Sequence, residues 1–287
     1  MVVGPPAAGP GAWAGAPSAL RRPDGVYLAY RVRLPVDAGR GVGNVVARSA
    51  GGERFETLAV VPKEAFDTDS LERPALVVTP EGRWRLYVSV ATPGTRHWRV
   101  DLLEAATPQG LATATPRTVL PGSDAVGVKD PVVVRHDGVW HVWVSAHPLE
   151  DPDATDRMTT EHATSADGVA WTWQGTALRP RPGAWDARGV RLTAVHLGPA
   201  AWALYDGRAS AAENWEERTG VALGVGGSGS GVFQATDAPP WGGHPDGRGA
   251  LRYVTVVDEP GGGRRLYYEV RRDDGAHDLR THLELPA

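Results

Sequence analysis

A short phrase recurs five times along this chain: a turn marked by glycine, then an aromatic-rich strand that finishes in a small or polar residue. It runs from Asp24-Gly25 to Tyr30, from Glu81-Gly82 to Ser89, from Asp137-Gly138 to Ser145, from Leu197-Gly198 to Asp206 and from Gly263 to Glu269. The turn glycines are 57, 56, 60 and 65 residues apart. A period of that size carried by strands implies radial repetition of a four-stranded antiparallel sheet. The expected fold is therefore all-β, a five-bladed β-propeller around a central channel. A second echo supports it: Ser49-Ala50-Gly51-Gly52 and Ser165-Ala166-Asp167-Gly168 fall at matching points of the first and third repeats, where a blade has its outer hairpin.

With 287 residues and 41% hydrophobic content the chain can bury a core as one closed domain. The blades are expected over about 12–62, 70–121, 127–180, 185–236 and 248–287. Thirty-six glycines and 24 prolines suit many short strands joined by turns. The net charge of −4 and the lack of any basic stripe remove the electrostatic case for a nucleic-acid or membrane partner. Lys63 and Lys129 are the only lysines, so nearly all positive charge is guanidinium, the better fork for carboxylate or phosphate. With no cysteine, neither disulfides nor thiolate metal sites enter the argument. The first ten residues lack the basic and apolar regions of a secretion signal, and no apolar run approaches the roughly 18 residues of a membrane span. A cytoplasmic monomer or weak oligomer is expected.

In an antiparallel blade the start of the innermost strand and the end of the second strand share one face of the disc. On that face belong the starts at Ala16, Glu72-Arg73, Lys129-Asp130, Arg188 to Arg191 and Leu251-Arg252, and the ends at Arg31, Ser89, Ser145, Asp206 and Glu269. Two long polar loops rise there as well, one from Ser145 through His147 and Asp156 to Thr160, the other from Asp206 through Trp215 to Arg218. Charged loops on a rigid scaffold are where binding tends to sit. The aspartate–glycine turns lie on the opposite face and read as structural.

The passage from Lys129-Asp130-Pro131 through the Asp137-Gly138 turn to Ser145 resembles the Asp-Pro blade motif of the five-bladed propeller glycosidases, grouped as glycoside hydrolase families 43 and 32. Ser165 to Trp171, Ser-x-Asp-Gly-x-x-Trp, adds to the resemblance. It implies three carboxylates at innermost-strand starts: a base or nucleophile on the first blade, an orienting aspartate on the third, and a general acid on the fourth. Two carboxyl groups are needed because one donates a proton while the other activates water or attacks carbon. Asp130 matches the third position. The first blade has Ala16 where the motif has aspartate, and the fourth opens with Asp186-Ala187-Arg188-Gly189-Val190-Arg191, arginines standing where the acid should be.

Glu72, Glu269 and Asp206 are the candidate replacement acids beside Asp130, with Asp186 nearby; Arg73, Arg188, Arg191 and Arg252 are expected to converge on the same mouth and grip an anionic ligand. His147 is a candidate proton donor near neutral pH. In some of the resembled enzymes a fifth-blade histidine helps to hold a calcium ion in the channel, and His277 stands in the corresponding region; no other cofactor is required. The expected ligand is a sugar or sugar-like, anionic small molecule, handled by glycosidase-like hydrolysis. Binding without catalysis and a non-hydrolytic biosynthetic reaction are the alternatives. Gly224 to Gly229 spells G-x-G-x-x-G without a following helix, so it reads as a flexible link rather than a nucleotide loop.

Overall fold

The computed structural model describes residues 1–227, 229–241 and 251–284. The expected starting residues 248–250 of the last repeat, its end at 285–287, and Ser228 of the glycine-rich stretch lie outside them.

The regular secondary structure of the described residues is nearly all strand, with a few short 3-10 turns. The first repeat forms β1 (Trp13–Arg22), β2 (Gly25–Arg33), β3 (Gly41–Ser49) and β4 (Glu56–Pro62), paired antiparallel in sequence order. The second forms β5 (Leu71–Val78), β6 (Trp84–Ala91), β7 (Trp98–Ala105) and β8 (Arg117–Leu120) in the same way. The third forms β9 (Val126–His136), β10 (Val139–Pro148), β11 (Thr159–Ser165) and β12 (Thr172–Leu178). The fourth forms β13 (Gly189–His196), β14 (Trp202–Arg208), β15 (Arg218–Val225) and β16 (Val232–Ala235). The last has β17 (Leu251–Asp258), β18 (Arg264–Arg271) and β19 (His277–Glu284), against which Val3 makes an antiparallel bridge at Leu279. Single parallel bridges, Arg218 to Leu251 and Trp13 to His277, join the last group to its neighbours.

Apolar cores lie between successive groups rather than within them. Tyr27 and Val46 of the first group pack with Leu76 and Leu86 of the second; Tyr87 and Val100 with Val142 and Trp140; Val132 and Trp143 with Val190 and Tyr205; Ala194 and Leu204 with Leu266; and Val26 and Leu28 with Val257 and Tyr267. Burying each such leucine or valine contributes roughly 1.5–3 kcal/mol. Each first strand touches the first strands on either side, in the order β1, β5, β9, β13, β17 and back to β1. No helix among the described residues is long and apolar enough to cross a membrane.

Two sequence features receive a physical account. The matched Ser-x-x-Gly turns are the same device: Ser49 Oγ accepts from Gly52 N at 2.9 Å and Ser165 Oγ from Gly168 N at 2.9 Å. A tyrosine from the preceding group then closes each turn, Tyr267 donating to Gly52 O at 2.8 Å and Tyr87 to Gly168 O at 2.7 Å. Three first strands begin earlier than the sequence suggests, at Trp13, Leu71 and Val126, and the other two begin within the expected stretches, at Gly189 and Leu251; each contains a β-bulge at or just after the expected start. One extra residue is accommodated between Gly15 and Ser18, Leu71 and Pro74, Lys129 and Val132, Leu192 and Ala194, and Arg252 and Thr255. Ala16, Asp130 and Tyr253 take positive φ there, 51°, 56° and 55°. A bulge bends its strand and re-aims the side chains around it. The stretch from Gly224 joins β15 to β16 as a hairpin, Val225 pairing with Val232, so the expected free link is instead a turn within a sheet.

Replacing Tyr87 or Tyr267 by phenylalanine leaves a buried glycine carbonyl without its donor. Each variant is expected to lose about 1–2 kcal/mol in urea denaturation; unchanged midpoints would show that the tyrosines do not hold the groups together.

Candidate functional site

The ends of the second strands, the bulges of the first strands and the loops that follow the second strands enclose a cavity of about 530 Å³. Arg31 and Arg33 enter from β2, Lys129 from β9, Arg191 from β13, Arg208 from β14 and Arg252 from β17, with Glu72 and Glu217 as the buried carboxylates of the wall. Both long loops reach the rim, through Pro152 to Met158 on one side and Ala211 to Glu217 on the other. Trp13 forms an aromatic base on which Arg33, Arg252 and Arg31 lie at 4.1, 4.8 and 4.9 Å from the ring centre. Trp215 meets it edge-on at 5.1 Å and is 36% exposed at the mouth, with φ of 75°.

Beneath the wall the carboxylates and guanidinium groups interlock. Arg252 binds Glu217 at 2.5 Å and Glu269 at 2.6 Å; Arg31 binds Glu72 and, at 2.9 Å, Glu269; Arg33 approaches Glu72 at 3.6 Å. Arg208 binds Glu217 at 3.1 Å. Arg191 reaches three acids, Asp206 at 3.0 Å, Glu217 at 3.6 Å and Asp130 at 3.7 Å, and its guanidinium stacks 3.9 Å from the centre of the Tyr253 ring. A buried ion is tolerated only with partners of this kind.

Of the sequence candidates, Glu72, Arg191, Arg252 and His147 line the cavity. Asp130, Asp206, Glu269 and Arg73 lie just under it. Asp130 is fully buried; Tyr253 Oη donates to its Oδ2 at 3.5 Å, and its Oδ1 has no hydrogen-bond partner. Burial works against its ionisation, but Lys129 and Arg191 outweigh burial and hold its carboxyl below the ordinary value. Asp206 accepts the backbone N–H of Tyr253 through both oxygens, at 3.1 and 3.0 Å. It thereby does for the β17 bulge what Ser89 does for the β9 bulge, where Asp130 N donates to Ser89 Oγ at 2.8 Å. Burial raises the Asp206 carboxyl to about 6, Arg191 opposing. Glu269 fits only because residue 15 is glycine, since a Cβ there would sit 2.0 Å from Glu269 Oε2. Arg73 crosses the ring interior from β5 and donates to the carbonyls of Leu192, Thr193 and Pro17 at 3.3, 2.5 and 3.4 Å, so it fills the channel instead of facing the cavity.

Arg188 and Asp186 stand apart from the cavity. Arg188 forks onto Asp156 with contacts of 2.7–3.0 Å and braces the loop. It is three residues from Arg191, and an odd spacing puts side chains on opposite faces of an extended chain. Asp186 is consumed by Arg181 Nε at 2.9 Å and Tyr205 Oη at 2.8 Å. His147 is not the expected proton donor: burial, with Lys129 beside it, pushes the ring down to about 3, so it is neutral, with Nδ1–H donating to Thr155 O at 2.8 Å and Nε2 unpartnered. His277 does not fit the calcium expectation. Its Nδ1 contacts Glu269 at 2.6 Å, Arg252 stands at 3.4 Å, and its ring stacks on Trp13. The surroundings are cationic, and no group of three His, Cys, Asp or Glu among the described residues is placed to hold a metal ion.

Sequence reasoning missed Arg33, Arg208, Glu217, Trp13 and Tyr253 as site residues. The alternation of Arg31 and Arg33 along β2 signals two residues on one face; nothing comparable announces Tyr253, whose ring direction is set by the bulge.

Glu217 and Glu269 are held well below the ordinary value of 4.5 by the arginines around them, against the opposing effect of burial. Their stabilising contribution is therefore complete above about pH 4.5 and is lost as pH falls below it. Glu217→Gln leaves Arg191, Arg208 and Arg252 undercompensated and is expected to cost about 3–5 kcal/mol at pH 7. The acid-side fall in melting temperature should be shallower in that variant than in the parent; parallel curves would remove Glu217 from the account.

No protein-family profile matches the chain, and no curated relative does. Solved structures do match in fold. A thermostable family-43 glycoside hydrolase superposes with a TM-score of 0.70 at 12% identity, covering 96% of this chain and 95% of its own. The alpha-L-arabinofuranosidase from Lactobacillus brevis gives 0.69 at 14% identity, covering 94% and 90%. A GH43_1 enzyme from Xanthomonas citri, complexed with xylose, gives 0.66 at 13% identity, covering 94% and 86%. The chain thus has the β-propeller fold of glycosidase-like proteins.

Proposed function

We propose that this chain is a five-bladed propeller, its five antiparallel groups being the blades, whose cavity binds an anionic sugar or sugar-like small molecule without hydrolysing it. The ring order of the first strands supports the blade count. The observation that carries the binding reading is the charge of the wall: five buried arginines and Lys129 face the cavity, against two buried carboxylates, each already tied to guanidinium. Hydrolysis needs a proton-bearing acid and a second carboxylate across the bond. Glu217 and Glu269 are held ionised, and Ala16 occupies the bulge where the resembled enzymes have a carboxylate. The cationic wall suits a uronate or sugar phosphate, whose oxygens accept paired N–H donors from guanidinium. Exposed Trp215 at the mouth supplies an apolar face for a sugar ring.

One observation favours the catalytic alternative. Asp206 and Asp130 share Arg191 and Tyr253, yet one carboxyl is pushed up to about 6 and the other held down. Carboxyl groups driven apart in this way are the usual mark of an acid and its partner.

Thermal-shift titrations at constant ionic strength with glucuronate, galacturonate, glucose 6-phosphate, glucose and xylose separate these readings. Anionic sugars are expected to raise the midpoint, by about 2.7 kcal/mol of stabilisation at a hundredfold excess over Kd, and Arg191→Ala to abolish the shift. Equal shifts with neutral sugars would overturn the anionic reading. Turnover of aryl glycosides that disappears in Asp130→Asn and Asp206→Asn would establish hydrolysis instead.

A further inference from the structure

Lys129 is the anomaly of the cavity. Every buried arginine in the wall is paired with a carboxylate, whereas the Lys129 ammonium makes no hydrogen bond or ion pair among the described residues. Its ammonium lies 4.9 Å from the centre of the Trp98 ring. A fixed cation for gripping anions is supplied in this chain by arginine everywhere else, and only two lysines occur in it. Lysine differs from arginine in one chemical respect that matters in such a place: it can lose its proton and become a nucleophile. The amine is lowered to about 8, by burial first and then by the charges of Arg191 and Arg31, with Asp130 opposing.

Two further groups near it are left incomplete. His147 lies two residues beyond Ser145, the residue opposite Lys129 in the β9–β10 ladder, so the two are diagonal neighbours on one face. Its Nε2 is a bare acceptor. Arg191 Nη2, in the same wall, has no hydrogen-bond partner, and its ionic contact is with Glu217 at 3.6 Å. An amine, an acceptor and a guanidinium N–H without a hydrogen bond together match a small molecule that carries a carbonyl and a carboxylate.

We propose that Lys129 is a carbonyl-reactive amine that condenses, within the cavity, with an open-chain sugar acid or 2-oxo acid. The carboxylate is held by Arg191. The amine nitrogen attacks the carbonyl carbon to give a carbinolamine, whose hydroxyl can donate to His147 Nε2, and loss of water leaves a protonated imine. Overall, the lysine ammonium and the carbonyl compound yield the iminium ion and one water; charge is conserved and no oxidant or reductant takes part. The proposal rests on the anion-binding reading for how the ligand is held, but the reactivity of the amine is tested separately.

The experiment is reductive trapping on the intact protein. Glyoxylate with sodium cyanoborohydride at pH 7.5 converts a reacting amine to its carboxymethyl derivative, which peptide mass mapping locates. Lys63, whose ammonium donates to Gly39 O at 3.0 Å and Asp69 O at 3.3 Å, is the internal control. Lys129 is expected to be labelled at least about tenfold faster than Lys63, and Lys129→Arg to lose that label while its melting temperature stays near the parent's. Equal labelling, or faster labelling of Lys63, would overturn the proposal without needing any variant to fold. A parallel run with glucuronate separates the two readings: a thermal shift without trapping at Lys129 leaves anion binding standing and defeats the amine chemistry for that ligand.

Discussion

The centre of this molecule is organised by the need to neutralise buried charge. Glu72, Asp130, Asp206, Glu217 and Glu269 are all withdrawn from water, and none could remain ionised there without donors. The donors come from different repeats: Arg31 from the first, Arg191 and Arg208 from the fourth, Arg252 from the fifth. Because Glu217 pairs with Arg252 and Glu269 with Arg31, the fourth, fifth and first groups are tied at their inner ends by ions as well as by the apolar cores farther out. A pair of this kind adds little net stability over a well-packed apolar contact. Its consequence is geometric, fixing where each guanidinium points.

On the binding reading proposed above, that fixation is what sets the site apart from acid–base hydrolysis. A catalytic acid has to keep its proton until the transition state, which requires a site where burial outweighs neighbouring cations. Here cations win at Asp130, Glu217 and Glu269, and burial wins at Asp206. Asp206 in turn spends both oxygens on the backbone of Tyr253. The same architecture can therefore serve more than one use, because fold does not fix function.

The strand pattern of the fold was legible because it is written locally. The recurring glycine turns, the aromatic strands and the Ser-x-x-Gly echo each occupy a few consecutive residues, and the structure gives them one role apiece. The placement of the two long loops could also be inferred, since strand direction alone determines which face a second strand ends on. The site was legible only in part. Arg191 and Arg252 could be placed from their strand positions, but Arg188 could not be grouped with Arg191 once the odd spacing is taken into account. Tyr253 and Asp130 are 123 positions apart, and no local pattern predicts that they meet. The bulges add a second obstacle: one inserted residue reverses the alternation by which inward and outward side chains are told apart.

The charge of the whole chain and the charge of its cavity have opposite signs, and that bears on how a ligand would arrive. At a net charge of −4 the chain offers an anion no long-range attraction. Beyond about 8 Å at physiological ionic strength even the cavity's own field is screened. Inside, the walls exclude water on several sides, Arg31, Arg191 and Arg252 line one cavity, and low-dielectric walls concentrate the field there. Capture would then depend on encounter at the mouth, where Trp215 is exposed, and retention on the directed N–H groups below it. Such a site selects by short-range geometry rather than by steering, so salt should affect it less than it affects proteins that draw in anions over a broad basic surface.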